Sequence, residues 1–360
     1  MISPSDLLLY EAHVAAGGLL AERRGRPVVA SYGDAAGEYA AGRSGAGLVD
    51  LSIRAVLEVS GPSRQKFLQG MLSDDVVGRE PGQGCRAVLL NARGALQALV
   101  RALVDEQAVL LETDFDRIEP LQKTLEHHRV AAPVRFATRP TVVLALLGPA
   151  TGDVLRAAGA AEPPAEPEGH AAAVIAGASV RLVRAGDLPG GGVVLHVPKD
   201  AAACAWEALC AAGAHPVGMD ALDTLRIEAM RPWWGSDVTE ENLLHETGLV
   251  GECHSPTKGC YIGQEVVARL EARGGNVNKA LRGLRLEAPV APGAPLTAEG
   301  GEAGRVTTAA VSPRLGPIAM AYVHRNHFAP GTALRAGEAA ATVVAGFEDE
   351  APPKSRGASE

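Results

Sequence analysis

The run Lys258-Gly259-Cys260-Tyr261-Ile262-Gly263-Gln264-Glu265 leads directly into Val266-Val267-Ala268-Arg269-Leu270. Ile262, Val266, Val267 and Leu270 recur at helical spacing, which predicts a helix beginning near residues 261–263 with one face on a core. Gly274-Gly275 supplies the left-handed stop that ends it. Cys260 then lies at or just before a helix N-terminus, where unpaired N–H groups and the macrodipole favour negative charge. Lys258 stands two residues away. Both influences favour a thiolate and make Cys260 a candidate reactive thiol. A packed cysteine acting as a small hydrophobe is the commoner fate of a single cysteine, and spacing alone favours it.

The surrounding chain is long enough for two or three domains, with 360 residues, 47% hydrophobic and 21% charged. Those proportions describe an ordinary globular protein. The net charge of −8 argues against general polyanion binding, so no nucleic-acid partner is expected. Residues 1–10 lack a basic n-region, and Asp6 interrupts their apolar stretch, so no signal peptide is expected. The longest strongly apolar runs, such as 142–147, fall far short of the ~20 residues that span a bilayer. Cys85, Cys204, Cys210, Cys253 and Cys260 are odd in number and unpatterned, which fits a reduced, cytoplasmic setting without membrane partners. Cys253-His254 and Cys260 match no common zinc spacing, and no metal site is expected.

Short β-like runs at 56–59, 86–90, 96–104 and 108–111 surround a helix read over 63–72, and a second helix near 116–128 follows them. Strands interleaved with helices in this way indicate an α+β domain. The continuous apolar run 141–147 reads as a buried strand followed by a helix near 150–158. The polar, Pro-rich stretch 163–169 is a connector, and 180–183 with 193–197 form a hairpin. Asp200 is expected to cap a helix over 201–212, stopped by Gly213, and 219–230 is another helix. From Leu281 short alternating runs broken by Gly and Pro predict a small β-barrel ending near Gly346. Residues 348–360 read as a disordered tail. No P-loop, dinucleotide-binding glycine pattern or internal repeat is found.

The eight-residue string at 258–265 resembles the motif of the YgfZ-type proteins. These are a branch of the glycine-cleavage T-protein (aminomethyltransferase) family that binds tetrahydrofolate and assists iron–sulfur cluster maturation. Weaker blocks in the same order extend the resemblance over most of the chain: Leu9–His13, Gly47–Ser52, Val59–Pro62, Phe67–Val76 and Leu222–Ala229. It implies an α+β, three-domain cloverleaf with a C-terminal β-barrel. The first domain would be discontinuous, over 1–50 and 138–280, and would carry the 258–265 motif. An inserted α+β domain would cover 51–137 and the barrel 281–347. Tetrahydrofolate, or another reduced folate, would be the cofactor, and iron–sulfur client or assembly proteins the partners. Glu228 would bind the pterin ring, as a carboxylate can accept two hydrogen bonds from its amino and ring N–H edge. Arg226, Gly259 and Gly263 are expected beside the cofactor; Lys258, Tyr261, Gln264 and Glu265 surround the Cys260 thiol.

One departure separates this chain from the aminomethyltransferases it resembles. These carry an aspartate after a glycine-containing turn, near the folate's reactive nitrogen. The corresponding stretch here is Asn91-Ala92-Arg93-Gly94-Ala95-Leu96-Gln97-Ala98-Leu99, with Gln97 and Ala98 where carboxylates are expected. An amide cannot accept a proton near neutral pH as a carboxylate can. The sequence therefore predicts a tetrahydrofolate-binding protein of iron–sulfur cluster assembly or repair, with Cys260 as the functional thiol. The alternative is a folate-dependent one-carbon transferase, acting in aminomethyl transfer or demethylation.

Overall fold

Period-two burial shapes the first large sheet in the computed structural model, which describes residues 7–299 and 301–347. Five antiparallel strands pair in the order Gly84–Leu90, Leu96–Val104, Ala108–Asp114, Arg54–Ser60 and Arg135–Thr138. One face carries Leu57, Val59, Cys85, Ala87, Leu89, Ala98, Val100, Ala102, Val109 and Leu111 into a core. The helix Phe115–His128 covers that face through Ile118, Leu121 and Leu125, and Arg64–Gln69 adds Leu68. Alternation of this kind commits each residue to one face, so the register follows from burial.

A six-stranded sheet is built from His170–Ile175, Ala178–Ala185, Gly192–Pro198, Thr141–Leu147, Gly47–Asp50 and His215–Pro216, in that order. Thr141–Leu147 is buried at every residue after Thr141, as its unbroken apolar run requires. Leu144, Leu146, Leu182, Val193 and Leu195 pack against Ala205, Trp206 and Leu209 of the helix Ala202–Ala211. Both sheets lie in one compact unit that comprises, among the described residues, 7–222 and 238–276.

The second unit comprises, among the described residues, 223–237, 277–299 and 301–347. Its six strands, Lys279–Leu286, Gly316–His324, Gly301–Ser312, Pro295–Ala298, Ala333–Ala336 and Ala339–Val344, close into a barrel in that order. Leu284, Leu296, Val306, Ala321, Val323, Leu334 and Val343 fill it. The border between the units falls within the helix Met219–Glu228.

Several expectations need correction. The strand His170–Ile175 is not among the expected elements, because three consecutive alanines carry no β signature. Asp200 does not cap the next helix: a 3-10 turn, Lys199–Ala201, intervenes, and Ala201 is the N-cap residue with no side-chain bond. Cys204, expected to pack, is exposed. The helix following the 258–265 motif begins at Gln264, with Gly263 as its N-cap residue, so Cys260 lies four residues ahead of it. The macrodipole acts within the first turn, and that reason for a reactive thiol falls away. The tail at 348–360 and residues 1–6 lie outside the described residues.

Candidate functional site

Within the 258–265 segment Lys258, Tyr261, Ile262 and Gly263 are fixed by contacts, while Gly259, Cys260 and Glu265 are exposed. Lys258 Nζ donates to three backbone carbonyls, Gln69 O at 2.6 Å, Asp74 O at 3.2 Å and Leu72 O. These carbonyls lie at and beyond the end of the helix Arg64–Gln69, where the last C=O groups lack partners of their own. The ammonium satisfies them and also stands 4.8 Å from the centre of the Tyr261 ring. Burial pushes the Lys258 amine down to about 8, partly opposed by Asp74. Its charge is thus directed at carbonyls, and the second sequence-based reason for a reactive thiol also weakens.

The remaining contacts follow along the string. Tyr261 is buried, and its N–H donates to Gln264 Oε1 at 3.1 Å. Ile262 N–H donates to Gly70 O at 3.2 Å, and its side chain packs on the core of the five-stranded sheet. Gly263 adopts φ +80, and a Cβ there would come within 2.5 Å of Asn91 O. Gly94, in the turn after Asn91, has φ +76, and a Cβ would meet Val266 Cβ at 2.5 Å. Two glycines thus let the start of the 264–271 helix and the turn between the strands 84–90 and 96–104 approach closely, Gly263 against the Asn91 backbone and Gly94 against the Val266 side chain. Gly259 and Cys260 alone between Lys258 and Gln264 are exposed, and nothing crowds Gly259.

Cys260 is therefore a presented thiol. Cys85 and Cys253 are buried, and burial pushes their thiols up to about 12 and about 11; Cys210 is half-buried and also raised, to about 11. Among the described residues no group of three or more His, Cys, Asp and Glu side chains has the arrangement of a metal site.

The positions where a carboxylate was sought differ in kind. Ala98 is 1% exposed and points into the core of the five-stranded sheet, where a carboxylate would be desolvated. Gln97 is half-buried on the opposite face, next to the Gly94 turn, and its Nε2 donates to Leu96 O at 2.9 Å. Of the two, only position 97 could hold a working carboxylate. It holds an amide.

Glu228 lies in the second unit, with Arg226 on the same helix. Its carboxylate is 2% exposed, accepts from Ser312 Oγ, and lies 3.4 Å from Arg314 Nη2. It borders a cavity of about 680 Å³ that is also lined by Met230, Arg285, Gly331, Val344 and Phe347. Arg226 is turned into the fold: it pairs with Asp223 at 2.5 Å and Asp237 at 2.6 Å, and lies 5.4 Å from the Trp233 ring centre. Asp237 in turn accepts from Thr307 and Thr308 on the barrel strand 301–312. Arg226 thus reads as a structural tie, and its guanidinium is not open to a ligand. Ser312 and Arg314 carry no local signal as partners of Glu228, because both come from a distant stretch of barrel.

Comparison with known proteins places this architecture. Residues 9–254 match the model of the GCVT N-terminal domain, and residues 279–346 that of the glycine cleavage T-protein C-terminal barrel domain. The chain belongs to the glycine-cleavage T-protein (aminomethyltransferase) family. It is 30% identical to an aminomethyltransferase of Saccharopolyspora erythraea over 93% of this chain and 94% of that protein. It is also 30% identical to an aminomethyltransferase of Rubrobacter xylanophilus, over 88% of this chain and 86% of that one. A crystal structure of the glycine cleavage system aminomethyltransferase T from Bartonella henselae superimposes with a TM-score of 0.83 at 25% identity, covering 96% of this chain and 98% of that one. The fold is the α+β aminomethyltransferase type with its closed C-terminal barrel.

Proposed function

We propose that this protein binds a reduced folate, tetrahydrofolate or a close relative, and acts in folate-dependent one-carbon transfer, with Cys260 as a thiol presented to solvent. The folate part rests on family membership across nine-tenths of the chain. Relatives that carry the name aminomethyltransferase support folate-dependent one-carbon transfer more directly than any other activity. The amide at Gln97 opposes the glycine-cleavage version of that chemistry, because no carboxylate stands there to move a proton. Demethylation of a small amine or sulfonium compound is the transferase reaction left open by this substitution.

A second reading is favoured by one observation, the clamped and exposed Cys260. In it the protein assists iron–sulfur cluster assembly or repair, with the thiolate making a transient contact shared with a partner protein. One thiolate cannot hold a cluster alone, so a resident cluster is not part of this reading. The three-part division into 1–50 with 138–280, 51–137 and 281–347 belongs to the same reading, with Lys258, Tyr261 and Gln264 positioning the thiol and Glu228 anchoring the pterin.

The test is a deletion strain carrying wild type, Cys260→Ser or Gln97→Asp, with iron–sulfur enzyme activities and glycine cleavage measured side by side. Loss of cluster-enzyme activity in the deletion strain, rescued by wild type and not by Cys260→Ser, supports the second reading. Normal cluster enzymes in the deletion strain sink it. Full complementation by Cys260→Ser in every assay removes the thiol from both readings.

A further inference from the structure

We infer that His254, braced by Glu271, is a positioning residue for the Cys260 thiol and acts through Tyr261. This rests on the reading of Cys260 as the reacting group. The short helix Val250–Cys253 ends at His254, whose backbone is extended at φ −145 and ψ 133, so the chain departs there into the loop that carries Cys260. Seven residues later the loop returns: the Tyr261 ring packs against the His254 ring, with centroids 6.1 Å apart and planes tilted by 55°. The ring pair closes the neck of a loop whose last residue before the neck is Cys260. His254 Nδ1 lies 3.2 Å from Glu271 Oε1, and only 6% of the His254 side chain is exposed. Glu271 is the last residue of the 264–271 helix, so the His254–Glu271 contact ties the neck to the same helix that Gly263 docks on the Asn91–Gly94 turn.

The neck has two attachments of different kinds. On the Lys258 side, the ammonium is held by three carbonyls at the end of the Arg64–Gln69 helix. On the His254 side, the chain is held by Ser73, which donates from Oγ to Cys253 O and accepts from Ser255 N–H at 3.2 Å, while the Tyr261 ring is held by packing, its Oη buried without a hydrogen-bond partner. Both ring nitrogens of His245, in the 3-10 turn Leu244–Glu246, are also buried and unpartnered. Burial lowers the His245 imidazole, with Glu271 opposing and His254 adding to the shift. His245 therefore faces the same pair without bonding to it. No direct bond crosses from this group to the Tyr261 hydroxyl, so the Tyr261 ring is oriented by the His254 ring on one side and the Lys258 ammonium on the other. Cys260 is bonded to Tyr261, and the direction of the thiol follows.

Amide hydrogen exchange on the full-length protein tests the inference. Tyr261 and Ile262 N–H are bonded within the clamp, to Gln264 Oε1 and Gly70 O, and report its opening. His254→Ala should raise their exchange at least tenfold, with the amides of the strands 84–90 and 96–104 unchanged. His254→Phe, which restores the ring and not the ion pair, should return them to within threefold of wild type, and Glu271→Gln should fall between. Alkylation of Cys260 should change with the same rank order, while the exposed Cys204 serves as a control that does not move. Exchange at Tyr261 and Ile262 within twofold of wild type in His254→Ala overturns the inference. So does a rise shared equally by both strands, which would mark general destabilisation. Neither readout depends on folate or cluster chemistry, so failure of the proposed function would leave this result readable by itself.

Discussion

Gly263 has no side chain, yet it fixes where the candidate thiol stands. Its left-handed backbone alone would cost another residue about 1–2 kcal/mol, and a Cβ 2.5 Å from Asn91 O adds a clash that only backbone movement relieves. Gly263→Ala should therefore destabilise by roughly 2 kcal/mol or more, visible as a lower urea midpoint with little change in slope. It should also loosen the Cys260 loop. Gly259→Ala, at a position with open space and no left-handed constraint, should be close to neutral in the same assay. Lys258 allows a pH test with a defined sign. Its amine titrates near 8 in the folded protein, chiefly through burial, against 10.5 in the reference state. Between those values the unfolded chain binds more protons, so stability must rise with pH. The stability of wild type relative to Lys258→Met should increase from about pH 8 to about pH 10.5 and be flat below pH 7. Denaturant titrations of both proteins over that range would show it; a difference that falls with pH would mean that the three carbonyls hold the ammonium more strongly than burial penalises it.

Between the two sheets of the larger unit lies an ionic network that no local pattern foretold. Arg101 lies 2.5 Å from Glu112 and 2.5 Å from Glu168, and also pairs with Asp187; Arg54 bonds Glu112 and Asp187, and His196 Nε2 bonds Glu112 at 2.7 Å. Arg101 and Arg54 hold the Glu112 and Asp187 carboxyls well below the usual range despite their burial, whereas burial keeps Glu168 raised. Arg101→Met would leave three carboxylates facing one another in the interior. It should cost about 3–5 kcal/mol, the range for breaking a buried pair from one side. In wild type the Glu112 and Asp187 contributions are full above the ordinary carboxylate range, begin to decline within it, and are lost as pH falls on towards the lowered folded values. Urea midpoints at pH 7 and pH 4 would check both statements, since the Arg101→Met deficit should shrink in acid.

The same sheets show what the sequence could convey. The strand Leu96–Val104 and the apolar run Thr141–Leu147 were legible to the residue, because period-two or unbroken apolar patterns record burial directly. The strand His170–Ile175, with three alanines, and the 3-10 turn that displaces Asp200 from its cap were not, since pairing and local backbone decided them. In the site, the helix after Gly263 and its stop at Gly274-Gly275 were readable from spacing. The carbonyl cage around Lys258 and the contact between Gly94 and Val266 were not, because both join segments more than 150 residues apart.

At the scale of the whole molecule, the expected consequence of family membership is a ligand that stabilises the fold. Tetrahydrofolate at 100 times its dissociation constant should add about 2.7 kcal/mol if it binds the native state alone, seen as a concentration-dependent rise in unfolding temperature. Glu228 is the residue whose removal should reduce that rise, and its present engagement dictates how to remove it. Glu228→Ala would abandon Ser312 and Arg314, so any loss of affinity would be mixed with damage to the barrel unit. Glu228→Gln keeps an acceptor for the Ser312 hydroxyl and removes only the charge. Losing a charge-assisted bond of roughly 1.5–3 kcal/mol corresponds to a roughly 10- to 150-fold weaker folate. Calorimetric titration of tetrahydrofolate into wild type and Glu228→Gln, with the unfolding temperatures of the ligand-free proteins as a control, separates the two effects. Equal affinities would assign Glu228 to the barrel unit alone, as a partner of Ser312 and Arg314. No heat with wild type would withdraw the folate from the proposed function. If wild type binds and the carrier-dependent glycine-cleavage assay still shows no turnover, the missing carboxylate at Gln97 is the group to restore first. Gln97→Asp is the variant to assay, because position 98 points into the core.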